Sequence, residues 1–228
     1  MRLRLQLVFL LLIVTACSAQ VVDRMVAVVN KRVILESQLD QAARVEFLMQ
    51  GKPLVQLTET EKMATLNRLI DRSLLEQQIA RTEMLDPTPA ELAARLAEVR
   101  RQLPGAASDE GWHKILNTYG VLQEDVEENL KSQIRILRFV DLRFRGLVRI
   151  EHIEIEAYYR ERLVPQLRAQ GTAPPPLSQV STKIENILTE QSIDDMLAHW
   201  LDTLRGQAQI EKMISSPPPP SGSNEARP

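Results

Sequence analysis

The chain has 228 residues, with 28 Lys and Arg against 30 Asp and Glu, and carries a net charge of −2 with both signs mixed along its length. That mixture lacks the basic stripe that holds nucleic acid, so no nucleic-acid partner is expected. Aromatic residues make up only 4% while Leu, Ile, Val and Ala are plentiful, which suits a helical core of aliphatic side chains.

Residues 1–19 read as a secretory signal. Arg2 and Arg4 form a positive start, residues 5–14 are apolar apart from Gln6, and small residues follow at Thr15, Ala16, Ser18 and Ala19. The apolar run is too short to span a bilayer as a helix. Cutting after Ala19 leaves Gln20 first, and the loss of Arg2 and Arg4 leaves 26 basic residues against 30 acidic. Val14-Thr15-Ala16-Cys17 also has the form of a lipobox, in which Cys17 takes lipid and becomes the first residue. Cys17 is the single cysteine, so there is no disulfide framework on either route. Two forms therefore stand side by side: a periplasmic chain with no membrane partner, and a lipoprotein anchored through Cys17, where each buried methylene contributes ~0.8 kcal/mol. No later apolar run is long enough to cross a membrane.

Residues 25–29 and 33–35 are β-branched runs separated by Asn30-Lys31-Arg32, and Asn tolerates the left-handed backbone of a tight hairpin. Ser37 is expected to cap a helix reaching about residue 50, with Leu39, Ala42, Val45, Leu48 and Met49 on its apolar stripe. Thr58 with Glu61 forms a capping box for a helix over 58–82, striped by Met63, Leu66, Ile70 and Leu74. Thr88-Pro89-Ala90-Glu91 is a second box, with proline at the first helical position, for a helix ending at Leu103 before Pro104-Gly105. A short helix over 109–119 is closed by Gly120. A long one over 123–145 carries Val126, Leu130, Ile134, Leu137 and Val140.

An apolar link over 147–150 leads to a helix over 154–169. Residues 171–177 form a proline-rich linker that cannot be helical. A last long helix over 178–205 stops at Gly206, and residues 208–214 suit a final strand. The tail, 215–228, is low-complexity and expected to be disordered. The expected division is a signal over 1–19, a helical domain over 20–170, the linker over 171–177, a completing helix and strand over 178–214, and the tail. There is no internal repeat.

The stretch over 20–40, QVVDRMVAVVNKRVILESQLD, resembles the opening of mature SurA-type periplasmic chaperones. The resemblance runs on through LNRLIDRSLLEQQIA (66–80), the helices over 88–103 and 116–145, the Tyr-Tyr helix over 150–159, and Ala198-His199-Trp200-Leu201 to Gln209-Ile210-Glu211. It covers roughly 21–213 and implies a mostly α-helical SurA N-terminal-type core with a small hairpin near the N-terminus and a short C-terminal strand. In that family the terminal segment returns to complete the N-terminal domain. Family members usually carry one or two parvulin-type prolyl isomerase domains before that terminal helix. Residues 171–177 stand in that place, and a parvulin domain of about a hundred residues cannot be held by so short a loop.

The resemblance therefore implies an ATP-independent holdase for unfolded or nascent outer-membrane and envelope proteins, without enzymatic activity and without a cofactor. No glycine loop that would cradle a nucleotide phosphate is present. The alternatives are a degenerate peptidyl-prolyl isomerase, and a lipid-anchored assembly protein with one specific partner.

No catalytic residue is identified. His113, His152 and His199 are scattered, with no acid or cysteine at ligand spacing, so no metal is expected. Glu127-Glu128 and Asp194-Asp195 are adjacent on helices and point apart. Tyr158, Tyr159 and Trp200 are read as packing residues. Met49, Met63, Met84, Met196 and Met213 offer either an adaptable client surface or ordinary core filler. Arg135, Arg138, Arg143 and Arg145 are read as one solvated helix side. Client-binding positions are not assigned.

Overall fold

The computed structural model describes residues 23–79 and 85–213. The signal, both processing sites including Cys17, Met84 and the tail lie outside the described residues.

The hairpin comprises β1 (Met25–Val29) and β2 (Arg32–Leu35). Its turn is one residue tighter than the sequence suggests. Val29 pairs with Arg32, so Arg32 belongs to the strand, and Asn30 takes the left-handed conformation with φ 58°. Helix α1 (Glu36–Met49) follows at once. Ser37 lies inside its first turn rather than capping it. The Gln38 side-chain oxygen accepts from the Leu35 N–H at 3.0 Å. Asp23, from ahead of β1, accepts from the Ser37 N–H at 3.2 Å and from its hydroxyl. A carboxylate from outside the helix thus supplies the cap, and these bonds from Ser37 hold its pKa below the ordinary value.

Helix α2 is described over Glu59–Ile79, and the expected extension to 82 lies outside the described residues. Thr58 makes half of its box, accepting from the Glu61 N–H at 3.3 Å. At α3 (Pro89–Gln102) the box is complete: the Thr88 N–H donates to Glu91 at 2.7 Å, and the Glu91 N–H donates to the Thr88 hydroxyl at 3.3 Å. Helix α4 (Asp109–Tyr119) starts at Ser108, which accepts from the Gly111 N–H at 3.1 Å. It ends at Gly120, whose φ of 63° suits a residue without Cβ. Helix α5 (Gln123–Phe144) runs into a 3-10 turn over Arg145–Leu147.

The helix expected over 154–169 is broken into three. It starts early, with α6 (His152–Tyr158) capped by Glu154 accepting from the Glu151 N–H at 2.8 Å. A π turn over Tyr159–Leu163 follows, then α7 (Val164–Ala169). The wide turn falls directly ahead of Pro165, which has no N–H to donate and whose ring would press on the carbonyl four residues back. Residues 172–176 of the linker are non-helical, as expected, while Leu177 at its end already belongs to the next helix. Helix α8 (Leu177–Gln207) is the longest and continues through Gly206, ending when the Ala208 N–H reaches the Leu204 carbonyl at 3.0 Å. A single glycine costs a helix only about 1 kcal/mol, which the packing of Leu204 and Ala208 against the sheet offsets. Strand β3 (Ile210–Lys212) is shorter than expected.

The strands form one antiparallel sheet in the order β2-β1-β3, with Val28 opposite Glu211 and Val29 opposite Ile210. The two distant parts of the sequence therefore share a sheet, and the expected mostly helical fold with a small hairpin and a C-terminal strand is the one observed. Asn30 joins them. Its N–H donates to the Gln209 carbonyl at 2.7 Å, its side-chain oxygen accepts from the Gln209 N–H at 3.0 Å, and its amide donates to Gln77 at 2.8 Å. Arg205 clamps α8 to α2 through two bonds to Asp71, at 2.7 and 2.6 Å.

Among the described residues three apolar clusters fill the body. The first sets Trp112 among residues of α1, α3, α4 and α5. The second packs the sheet on Leu39, Leu66, Ile70 and Leu74, with Leu204 and Ile210 closing it from the far end of the chain. The third, much thinner, has three buried residues, Val140, Phe144 and Ile193, between α5 and α8.

Candidate functional site

The third cluster is the candidate site, because a cleft opens directly on its aromatic residues. Helix α5 contributes Phe139, Val140, Arg143 and Phe144, and the 3-10 turn adds Leu147. Helix α8 contributes Ile193, Met196, Leu197 and Trp200, spaced at three and four so that they share one face. The Trp200 ring meets Phe144 edge-on with centroids 5.8 Å apart, and Phe139 in a tilted pair at the same distance. The Arg143 guanidinium lies 4.4 Å from the Trp200 centroid and 5.5 Å from that of Phe144. A second tie, Arg145 to Glu190 at 2.6 Å, holds the end of α5 against α8.

Outside this stack opens a cleft of about 580 Å³, lined by Phe144, Leu147, Met196 and Trp200 with Ser192, Asp195, His199 and Thr203. Leu147 is 66% exposed although it stands beside an aromatic floor. Other apolar side chains on the neighbouring stretch also face solvent, among them Leu137, Leu142 and Ile153. Leu137 therefore leaves the buried stripe predicted for α5. The packing changes partners along that helix, from α3 and α4 near Val126 to α8 near Val140, and the buried face rotates between them.

A second cleft, about 370 Å³ between α1, α2 and α5, is lined largely by polar residues, several of them bonded to one another. Ser132 donates to Glu76 at 2.7 Å, and Gln41 donates to Asp125. With its amide oxygen turned to Arg72, buried Asn129 accepts from both guanidinium ends at 3.1 and 3.2 Å.

The residues singled out from sequence are dispersed. The ring Nδ1 of His113 and of His199 lies against a backbone carbonyl of its own helix, at 2.7 and 2.9 Å, and exposed His152 stands 3.2 Å from Glu156. Among the described residues no group of three potential ligands gathers for a metal. Glu127 accepts from Gln123 at 2.7 Å, while Glu128 and Asp194 face solvent. Tyr159 donates to the Pro175 carbonyl at 2.8 Å and so pins the linker. The methionines form no single surface: Met49, Met63 and Met196 border three different clusters, and Met213 follows β3.

The arginines form a solvated side only in part: Arg143 and Arg145 are exposed, Arg135 and Arg138 are half-buried, and each has a partner. Arg135 pairs with Asp86 at 2.9 Å, and Arg138 reaches Glu91 and the Asp86 carbonyl. Arg143 covers Trp200 and Arg145 holds Glu190. Hydrogen bonds from Thr88, and then the Arg138 charge, hold the Glu91 pKa below its ordinary value. The Trp200–Arg143 stack was missed because the sequence places its halves on different helices. The signal for it was the pair Phe139 and Phe144, half of the chain's four phenylalanines, near the end of α5.

No protein-family model matches the chain, and no curated protein matches it.

Proposed function

We propose that the protein is an exported, ATP-independent holdase that binds unfolded or nascent outer-membrane and envelope proteins, and that the α5–α8 cleft is a place where it holds them. The observation that carries this reading is an apolar floor of Phe144, Met196 and Trp200 left open beside exposed Leu147. The resemblance to SurA-type chaperones agrees with it, as does the return of α8 and β3 to the hairpin across a linker too short for an isomerase domain.

The magnitudes suit capture and release without nucleotide. One apolar side chain buried in the cleft contributes about 1.5–3 kcal/mol, short of the roughly 4 kcal/mol of a millimolar complex. A client must therefore use several weak contacts, and can leave by losing them one at a time. Export follows from residues 1–19, and the Val14-Thr15-Ala16-Cys17 stretch makes a lipid-anchored form the second arrangement of the same activity.

The test is dilution of a urea-denatured β-barrel protein into buffer with the mature chain and no ATP. Turbidity should fall as the chain is added, and a proline-peptide assay should show no acceleration. Unchanged turbidity removes the holdase reading, and a clear isomerase rate puts an enzyme in its place. Labelling with radioactive palmitate, compared between the natural chain and Cys17→Ser, decides the anchor.

A further inference from the structure

Resting on the holdase reading, we infer that the α5–α8 cleft selects client segments in which a large apolar side chain and a basic one stand two positions apart. The cleft has two unlike borders. Its floor is the apolar group Phe144, Met196 and Trp200, walled by Leu147. Its rim is a single polar row of α8, Ser192, Asp195, His199 and Thr203, stepping by three and four residues.

The unmatched charge on that rim is negative. Glu190 is engaged by Arg145 at 2.6 Å and Asp202 by Arg205 at 3.0 Å. Asp195 forms no ion pair among the described residues, and neither does its neighbour Asp194. The nearby cation, Arg143, lies over the Trp200 and Phe144 rings and is not among the lining residues. Client chemistry that completes the site is therefore a greasy side chain for the floor and a cation for Asp195. In an extended chain, side chains two apart point the same way about 7 Å from each other, so a single segment can present both groups to one side of the cleft. In the polar cleft between α1, α2 and α5 the charged groups Asp125, Glu76 and Arg72 are already bonded by Gln41, Ser132 and Asn129, and no aromatic side chain among the described residues lines it. The cleft beside Asp71 is likewise occupied by its own ion pair with Arg205.

The experiment uses the mature chain and short tryptophan-free peptides centred on Leu-Ser-Lys, Leu-Ser-Gln or Leu-Ser-Glu, followed by acrylamide quenching of tryptophan fluorescence. Of the two tryptophans Trp112 is 1% exposed, so quenching reports on Trp200. At low salt the Lys peptide should bind about threefold tighter than the Gln peptide, and the Glu peptide weakest. Asp195→Asn should erase that order, and Leu147→Ser should weaken all three alike. Both positions are exposed, so both variants keep the fold. Equal binding of the Lys and Glu peptides, or no shielding of Trp200, overturns the inference. So does shielding that follows protein concentration alone, because then a second copy fills the cleft. The turbidity assay separates the two levels. Suppression without any charge order sinks the inference and leaves the holdase reading intact, whereas a charge order without suppression sinks the holdase reading and leaves the cleft's selectivity standing.

Discussion

The two tryptophans share one chemistry and live in opposite surroundings. Trp112 is enclosed by four helices, its ring N–H donates to Gln123 at 3.0 Å, and Arg100 lies 5.8 Å from its ring. Trp200 also has an arginine over its ring, but its cluster lies between α5 and α8 with the 3-10 turn beside them, and its remaining edge faces the cleft. An indole with its polar handle satisfied and all sides walled is a keystone. The same indole with one side open is a surface held in readiness. The number of walls, rather than the residue type, separates structure from recognition here.

That contrast is broken or sharpened most strongly by deleting each ring. Trp112→Ala should cost about 3–5 kcal/mol in urea unfolding, the range for a large aromatic removed from a closed core. Trp200→Ala should cost under about 2 kcal/mol, since part of the ring never leaves water, while reducing client capture more than Trp112→Phe does. Equal losses would mean that the third cluster is as closed as the first.

The next effect tests whether the far end of the chain belongs to the closed body. Asn30→Gly keeps the left-handed turn and the backbone bond to the Gln209 carbonyl but removes the side-chain bonds to Gln209 and Gln77, and should cost about 1–2 kcal/mol. Asn30→Ala adds the left-handed penalty of about 1–2 kcal/mol, so it should be the worse of the two. Urea midpoints for the pair measure both parts. A smaller effect is expected at the α3 cap, where Thr88→Ala should cost about 1 kcal/mol by the same measurement.

The smallest effect is a pH dependence of the front body. Asp23 and Glu91 are held below their ordinary values of 3.8 and 4.5 by the cap bonds from Ser37 and Thr88. A carboxyl lowered on folding stabilises the native state fully above its unfolded pKa, and that gain is lost as pH falls through the native value. Stability should therefore drop on acidification below about pH 4.5, and Asp23→Asn should flatten the lower part of that limb. A limb of unchanged slope in that variant would show that the Asp23–Ser37 contact carries no proton linkage.

What the residues disclosed in advance was local. Thr88 with Glu91 and the Gly120 stop act within a few residues of themselves, and each holds in the fold. Cues that depend on distant partners misled. Ser37 has a capping hydroxyl, yet Asp23 reaches it from before the hairpin. Gly206 has the composition of a helix end, yet packing against the sheet carries α8 past it. The cleft was the least legible part, since Phe144 and Trp200 meet only when α5 and α8 cross. Arg143 is solvated as the sequence suggests, but its partner is a ring rather than a carboxylate, which the sequence does not show.

The central claim is that unfolded chain is held at this opening and not on apolar surface in general. A photo-activated benzoyl-phenylalanine placed at Leu147, beside the cleft, and in a separate chain at Val55, 90% exposed and remote in sequence, tests it directly against a denatured β-barrel protein. Covalent adducts should form from position 147 and not from 55. Equal labelling from both, or none from 147, would contradict the account.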